Sequence, residues 1–136
     1  MTTDIYLQAL AEMEVPVKRI QGWVDILQSG CMDSLTTTHA EHFEKIVRSV
    51  IQLIERMPEV AQRTDPMQRD FAFHHDLGGP IMQITGYSEI ILSDLRSRRD
   101  EQSIMCAEYL DDIRAAGDYL AALARNAQID LVAGRR

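Results

Sequence analysis

An all-α fold, an antiparallel four-helix bundle, is what this chain of 136 residues predicts, and three observations point to it. Apolar residues recur at alternating steps of three and four along four separate stretches, the spacing of helices that pack side by side. No stretch alternates apolar and polar residues as a half-buried strand would. The first half of the chain also repeats in the second, so two helical hairpins can cover each other's apolar faces.

Each helix has its own signature. Tyr6, Leu10, Met13, Val17, Ile20, Val24 and Leu27 stripe the first, expected near 3–29, with Gly30 ending it in a left-handed cap. Phe43, Val47, Val50, Ile54 and Met57 stripe the second, near 38–57, with Thr38 and Glu41 as a capping box and Pro58 as its stop. Asp65 and Pro66 open the third, near 66–97, as N-cap and first-turn proline. Its stripe is Leu77, Ile81, Ile84, Ser88, Ile91 and Leu95, and Arg96, Arg98 and Arg99 suit the dipole at its end. Asp100 and Glu101 begin the fourth, near 101–130, striped by Tyr109, Ile113, Ala116, Leu120, Leu123 and Ala127. Short connections favour antiparallel neighbours.

The repeat has a definite register. At an offset of 64, Pro16 meets Pro80, Ile20 meets Ile84, Gly22 meets Gly86, Trp23 meets Tyr87 and Asp25 meets Glu89. At an offset of 66, Phe43 meets Tyr109, Val47 meets Ile113, Arg48 meets Arg114 and Ile54 meets Leu120. The organisation expected is one bundle over 1–136, with related hairpins at 1–58 and 65–131 joined by approximate two-fold symmetry. A monomer that is its own pseudo-dimer satisfies the repeat; a homodimer that swaps hairpins satisfies it too.

Composition narrows the function. A net charge of -7 argues against nucleic acid and against an anionic membrane surface as partners. No run of 18 apolar residues is present to span a bilayer, and the acidic start does not read as a signal peptide. Cys31 and Cys106 fit no metal spacing, and each is expected as a free thiol, buried or half-buried, in a reducing cytoplasm. His39 and His42 share a helix face at i and i+3, which reads as a solvated helix start rather than a metal site. No metal site is expected.

One segment carries chemistry: FAFHHDLGGPIMQITGYSEIILSDL, residues 71–95. Leu77 faces the core, so His75, two residues earlier and about 200° around the helix, points outward. His74 lies nearer the core flank and is expected to pack or hydrogen-bond. A neutral exposed imidazole is a competent phosphoryl acceptor. Asp76 is placed to take a proton or to hold the ring tautomer. Pro80 cannot donate to the carbonyl of Asp76, so the helix is expected to bend there. Gly78 and Gly79 leave a shallow surface beside the histidine, and with His74 and Met82 they form the expected partner-binding surface.

The segment HDLGGPIMQITGYSEIIL resembles the H-box of sensor histidine kinases, which opens their dimerisation and histidine-phosphotransfer domain. His75, Asp76, Pro80, Gly86 and Tyr87 match that pattern, residues 108–126 (EYLDDIRAAGDYLAALARN) are similar to the domain's second helix, and the resemblance covers residues 70–128. The first hairpin resembles the same domain in degenerate form, with Ala11 where the histidine would be. The resemblance implies a histidine-phosphotransfer protein of two-component signalling, with His75 as phosphoacceptor. Its implied partners are receiver domains of response regulators, histidine kinases, or both. No cofactor is expected in this chain, since the receiver would supply Mg2+. No ATP-binding segment follows, so a phosphotransfer intermediate is expected rather than an autonomous kinase. Gly79 stands where phosphatase-competent members carry Thr or Asn. The alternative reading is a mimic that captures a regulator or kinase without carrying phosphate.

Overall fold

The computed structural model describes the backbone of residues 5–134 and the side chains of residues 5–127; the expectations for residues 1–4 and for the last residues of the chain lie outside them. It is all-helical: α1 (Ile5–Gly30), a single 3-10 turn (Met32–Ser34), α2 (Thr37–Ala61), α3 (Pro66–Arg96) and α4 (Glu101–Gly134). No strand occurs among the described residues. The helices pack on one another around a single core. No described helix is long and apolar enough to cross a membrane.

Helix ends follow local chemistry, with three corrections. Asp65 accepts from the Met67 amide at 2.9 Å and Pro66 opens α3, as the sequence indicates. Asp100 Oδ2 accepts from the Ser103 amide at 2.9 Å at the start of α4. That bond holds the Asp100 carboxyl below the usual carboxylate range. The cap of α2, however, is Thr36, whose hydroxyl accepts from the His39 amide at 3.1 Å. It sits two residues before the expected Thr38 because Thr36 has the extended backbone a cap requires. Gly30 adopts no left-handed conformation; the Cys31 amide still reaches the Leu27 carbonyl, and the chain tightens into the 3-10 turn. Pro58 does not stop α2, which runs to Ala61. Proline removes one donor but leaves the following residues able to donate, and the Gln62 amide bonds the Pro58 carbonyl.

Every residue of the first and third stripes is buried. The second and fourth are rotated. On α2 the buried seam is Phe43, Ile46, Val50, Leu53 and Met57, while Val47 is half-buried and Ile54 is 39% exposed. On α4 it is Cys106, Leu110, Ile113, Gly117, Leu120 and Ala127. The burial pattern therefore repeats at an offset of 67 here, matching Phe43 with Leu110, Ile46 with Ile113 and Leu53 with Leu120, one residue beyond the register of best side-chain likeness. One residue turns a helix by about 100°, enough to move Val47 and Ile54 from the seam to its flank. Between α1 and α3 the offset of 64 holds for burial as well.

Contacts between α2 and α3 run in opposite senses along the chain: His39 reaches Asp94, Lys45 reaches Tyr87, Ser49 reaches Gln83 and Arg56 reaches Asp76. Packing of α3 on α4 differs from packing of α1 on α2. A Cβ at Gly117 would stand 2.6 Å from Thr85 Cγ2 and 3.3 Å from Ile84 Cγ2, so α4 sits closely on α3 because residue 117 has no side chain. Its counterpart on α2 is Val50, and α1 packs only lightly against α2. An open groove of about 400 Å³ remains between them, lined by Leu10, Ala11, Val17, Ile54, Met57 and Pro58.

The cysteines correct the free-thiol expectation. Cys31 and Cys106, both buried, form a disulfide whose Cα atoms lie 5.9 Å apart, joining the end of α1 to the first turns of α4. No free cysteine is present. Near it, Gln102 Nε2 donates to the Gly30 carbonyl at 2.6 Å and Arg98 donates to the Ser34 carbonyl.

Candidate functional site

Helix α3 carries two adjacent histidines to different environments. His74 turns toward the bundle. Its side chain is 33% exposed, stands edge-on to Tyr6 and Phe73 at 5.6 and 5.2 Å between ring centres, and has Nε2 at 3.3 Å from the Tyr6 hydroxyl. Tyr6 also donates to Asp70. His74 therefore belongs to a packed polar cluster at the α1–α3 contact, which limits it as a docking residue.

His75 turns outward, with its side chain 68% exposed. Its Nδ1 lies 2.9 Å from Asp76 Oδ1. A carboxylate only accepts, so in the neutral ring this contact puts the proton on Nδ1 and leaves Nε2 with its lone pair. No partner contacts Nε2 among the described residues. The Phe71 ring, one turn earlier and 67% exposed, stacks on the imidazole at 5.0 Å and 14°. Stacking and the carboxylate together restrict the ring's orientation. An unprotonated, oriented, accessible nitrogen is a nucleophile.

The remaining expected docking residues are mostly open. Gly79 is exposed and Gly78 half-buried, and a Cβ on either would meet nothing within 4 Å. Met82 is 73% exposed. The exposed side chains of Met67, Phe71, His75 and Met82 follow one another along α3 at helical spacing, so the imidazole lies within an apolar surface strip.

The flank of the site comes from α2. α3 runs on through Pro80, and the Asp76 carbonyl that proline leaves without its helical donor accepts from Arg56 Nη1 at 2.9 Å. Further along the contact between α2 and α3, Ser49 Oγ meets Gln83 Oε1 at 2.8 Å and His42 stacks on Tyr87 at 5.3 Å. His39 and His42 approach at 3.4 Å between Nδ1 atoms, and His39 faces Asp94 at 3.6 Å. No group of three or more His, Cys, Asp or Glu side chains is arranged for a metal ion among the described residues. Away from the site, Arg114 holds the Asp111 carboxyl below its usual range, and Asp111 in turn raises Arg114.

Sequence reading missed Arg56, Phe71 and Tyr6 as parts of this region. For Arg56 a signal existed: Pro80 announces an orphaned carbonyl at Asp76 that some donor must satisfy. Which donor answers depends on how α2 packs, and that register was misread by one residue.

No known family, curated protein or solved structure matches the chain.

Proposed function

We propose that this protein is a histidine-phosphotransfer module of two-component signalling, with His75 as the phosphoacceptor. The observation that carries the reading is the exposed imidazole whose Nδ1 is held at 2.9 Å by Asp76. The stacked Phe71 and the resemblance of residues 75–92 to an H-box support it. In the forward step Nε2 attacks the phosphorus of a receiver's aspartyl phosphate. The N–P bond forms as the P–O bond to the carboxylate breaks, and the carboxylate leaves. The imidazole then carries positive charge, which Asp76 stabilises through Nδ1–H. Transfer onward to a second receiver is the reverse. The receiver supplies the metal ion and most of the charge stabilisation, while this chain supplies a positioned nucleophile.

The architecture we infer is an antiparallel bundle of two hairpins related by a pseudo-two-fold axis. Contacts that run in opposite senses between α2 and α3 support it. So do two pairs that lie 64 residues apart, Tyr6 with Asp70 and Ser34 with Arg98. Equivalent residues meet each other only on a two-fold axis. Ala11, exposed on α1, occupies the place of His75 in the hairpin without a histidine. Phosphotransfer partners place the protein in the cytoplasm. A disulfide is uncommon there, but burial of both sulfur-bearing residues slows exchange with cellular thiols.

The test is transfer from phosphorylated receiver domains and histidine kinases of the same genome to wild type, His75→Ala and His74→Ala. Acid-labile label on wild type and His74→Ala, lost in His75→Ala, is the expected result. Receiver or kinase binding without label on any variant would overturn it in favour of a non-catalytic mimic.

A further inference from the structure

The histidine sits on the second hairpin, yet the donor that completes its helix comes from the first. We propose that Arg56 is a positioning residue for His75, acting through the Asp76 peptide; the inference rests on phosphotransfer at His75. Pro80 leaves the Asp76 carbonyl without a helical donor, and Arg56 Nη1 takes it at 2.9 Å. The same residue, Asp76, holds His75 Nδ1 with its side chain at 2.9 Å. Arg56 thus fixes the backbone from which the orienting carboxylate projects. A helical carbonyl left to water tilts outward and bends the helix, and a change in the direction of residue 76 loosens its hold on the ring. No carboxylate lies within ion-pair distance of Arg56 among the described residues, and its guanidinium bonds the Asp76 carbonyl instead.

The other half of the chain supplies an internal control. Pro16 is the counterpart of Pro80 and leaves the Glu12 carbonyl without its helical donor. By the burial register, the counterpart of Arg56 is Leu123, which has no donor to offer. Proline is present in both halves, so the broken helical bond alone does not account for an arginine. The arginine accompanies the histidine: His75 with Arg56 on one side, Ala11 with Leu123 on the other. A donor that merely satisfied a carbonyl would be wanted equally in both places.

The test uses the full chain labelled with nitrogen-15, and reads the His75 tautomer from its ring-nitrogen shifts. Potassium phosphoramidate is then added, and phosphorylation of His75 is timed by mass spectrometry. Arg56→Ala is expected to lower the ratio of the Nδ1–H to the Nε2–H form by about threefold, the size of one modest hydrogen bond. Labelling of His75 should slow by a similar factor. Arg56→Lys, which can still donate to the carbonyl, should recover most of both. Arg56→Ala combined with Pro80→Ala restores a helical donor at residue 80, and should also recover both, including where Arg56→Ala alone does not fold. A wild-type tautomer ratio in folded Arg56→Ala, or failure of the double variant to recover it, would overturn the proposal. The tautomer ratio needs no phosphoryl donor or partner, so it distinguishes failure of this inference from failure of phosphotransfer itself.

Discussion

Helices α3 and α4 press together where Gly117 meets Thr85, while α1 and α2, with Val50 as the counterpart of Gly117, pack lightly and leave an open groove beside Leu10, Ile54 and Met57. The α1–α2 and α3–α4 pairs share a burial pattern, so single side chains can be compared position by position. The missing side chain at residue 117 lets α3 and α4 approach, whereas a groove remains between α1 and α2. The same contrast recurs along the faces between hairpins. The α2–α3 face is pinned by Arg56, Ser49 and the His42–Tyr87 stack. The α1–α4 face instead holds a groove of about 480 Å³ lined by Glu12, Val15, Pro16, Trp23, Asp112 and Tyr119, and is tied at one end by the disulfide. One face is ordered by polar contacts along its length, the other by a covalent bond at its end.

The largest expected effect concerns that bond. Cysteines 75 residues apart close a long loop, and reducing them should cost about 4 kcal/mol in the chain-entropy account. Urea unfolding with and without reductant measures it. Amide exchange should then accelerate in α1 and α4 ahead of α2 and α3; equal acceleration everywhere would erase the distinction between the two faces. Next comes Gly117→Ala. Alanine is the better helix former, but here its methyl meets Thr85, so stability should fall by about 1–3 kcal/mol. Gly79→Ala, into open space, should instead gain up to about 1 kcal/mol. Thermal denaturation of the pair decides, and a gain at both positions would mean that the α3–α4 seam is not close.

The smallest effect is acid sensitivity. Asp100 and Asp111 both titrate below their ordinary value, through the Ser103 amide and the Arg114 guanidinium respectively. A carboxyl depressed in the folded state contributes stability above the unfolded value, near 4, and loses it as pH falls through the folded value. The melting temperature should therefore hold from neutrality down to about pH 5 and decline below about pH 4. Asp100→Asn and Asp111→Asn should each flatten part of that decline. Both groups are exposed, so the change is small.

Much of the fold was legible, and the failures are local. The stripes of α1 and α3 coincide with the buried seam, although doublets such as Tyr6–Leu7, Ile26–Leu27 and Ile90–Ile91 occur there as well. On α2 the doublets Ile46–Val47, Val50–Ile51 and Leu53–Ile54 make the apolar face two residues wide, and period alone cannot select its centre. The cap at Thr36 was hidden among three consecutive threonines. The cysteine pair left no trace, since its spacing resembles no motif and only the packing of α1 against α4 brings the two together. Of the site, the opposed directions of His74 and His75 followed from helical geometry. Arg56 did not, because its partner is a backbone atom on another helix, and no side-chain pattern encodes that.

Residues 62–65 join α2 to α3 across a span of four residues. Hairpins on separate chains would find each other at a rate set by how much protein is present, and would part on dilution. Here the connection holds α3 near α2 at a local concentration fixed by its own length, whatever the amount of protein in solution. The contact between Arg56 and Asp76 therefore forms in every folded copy, at any abundance of the protein.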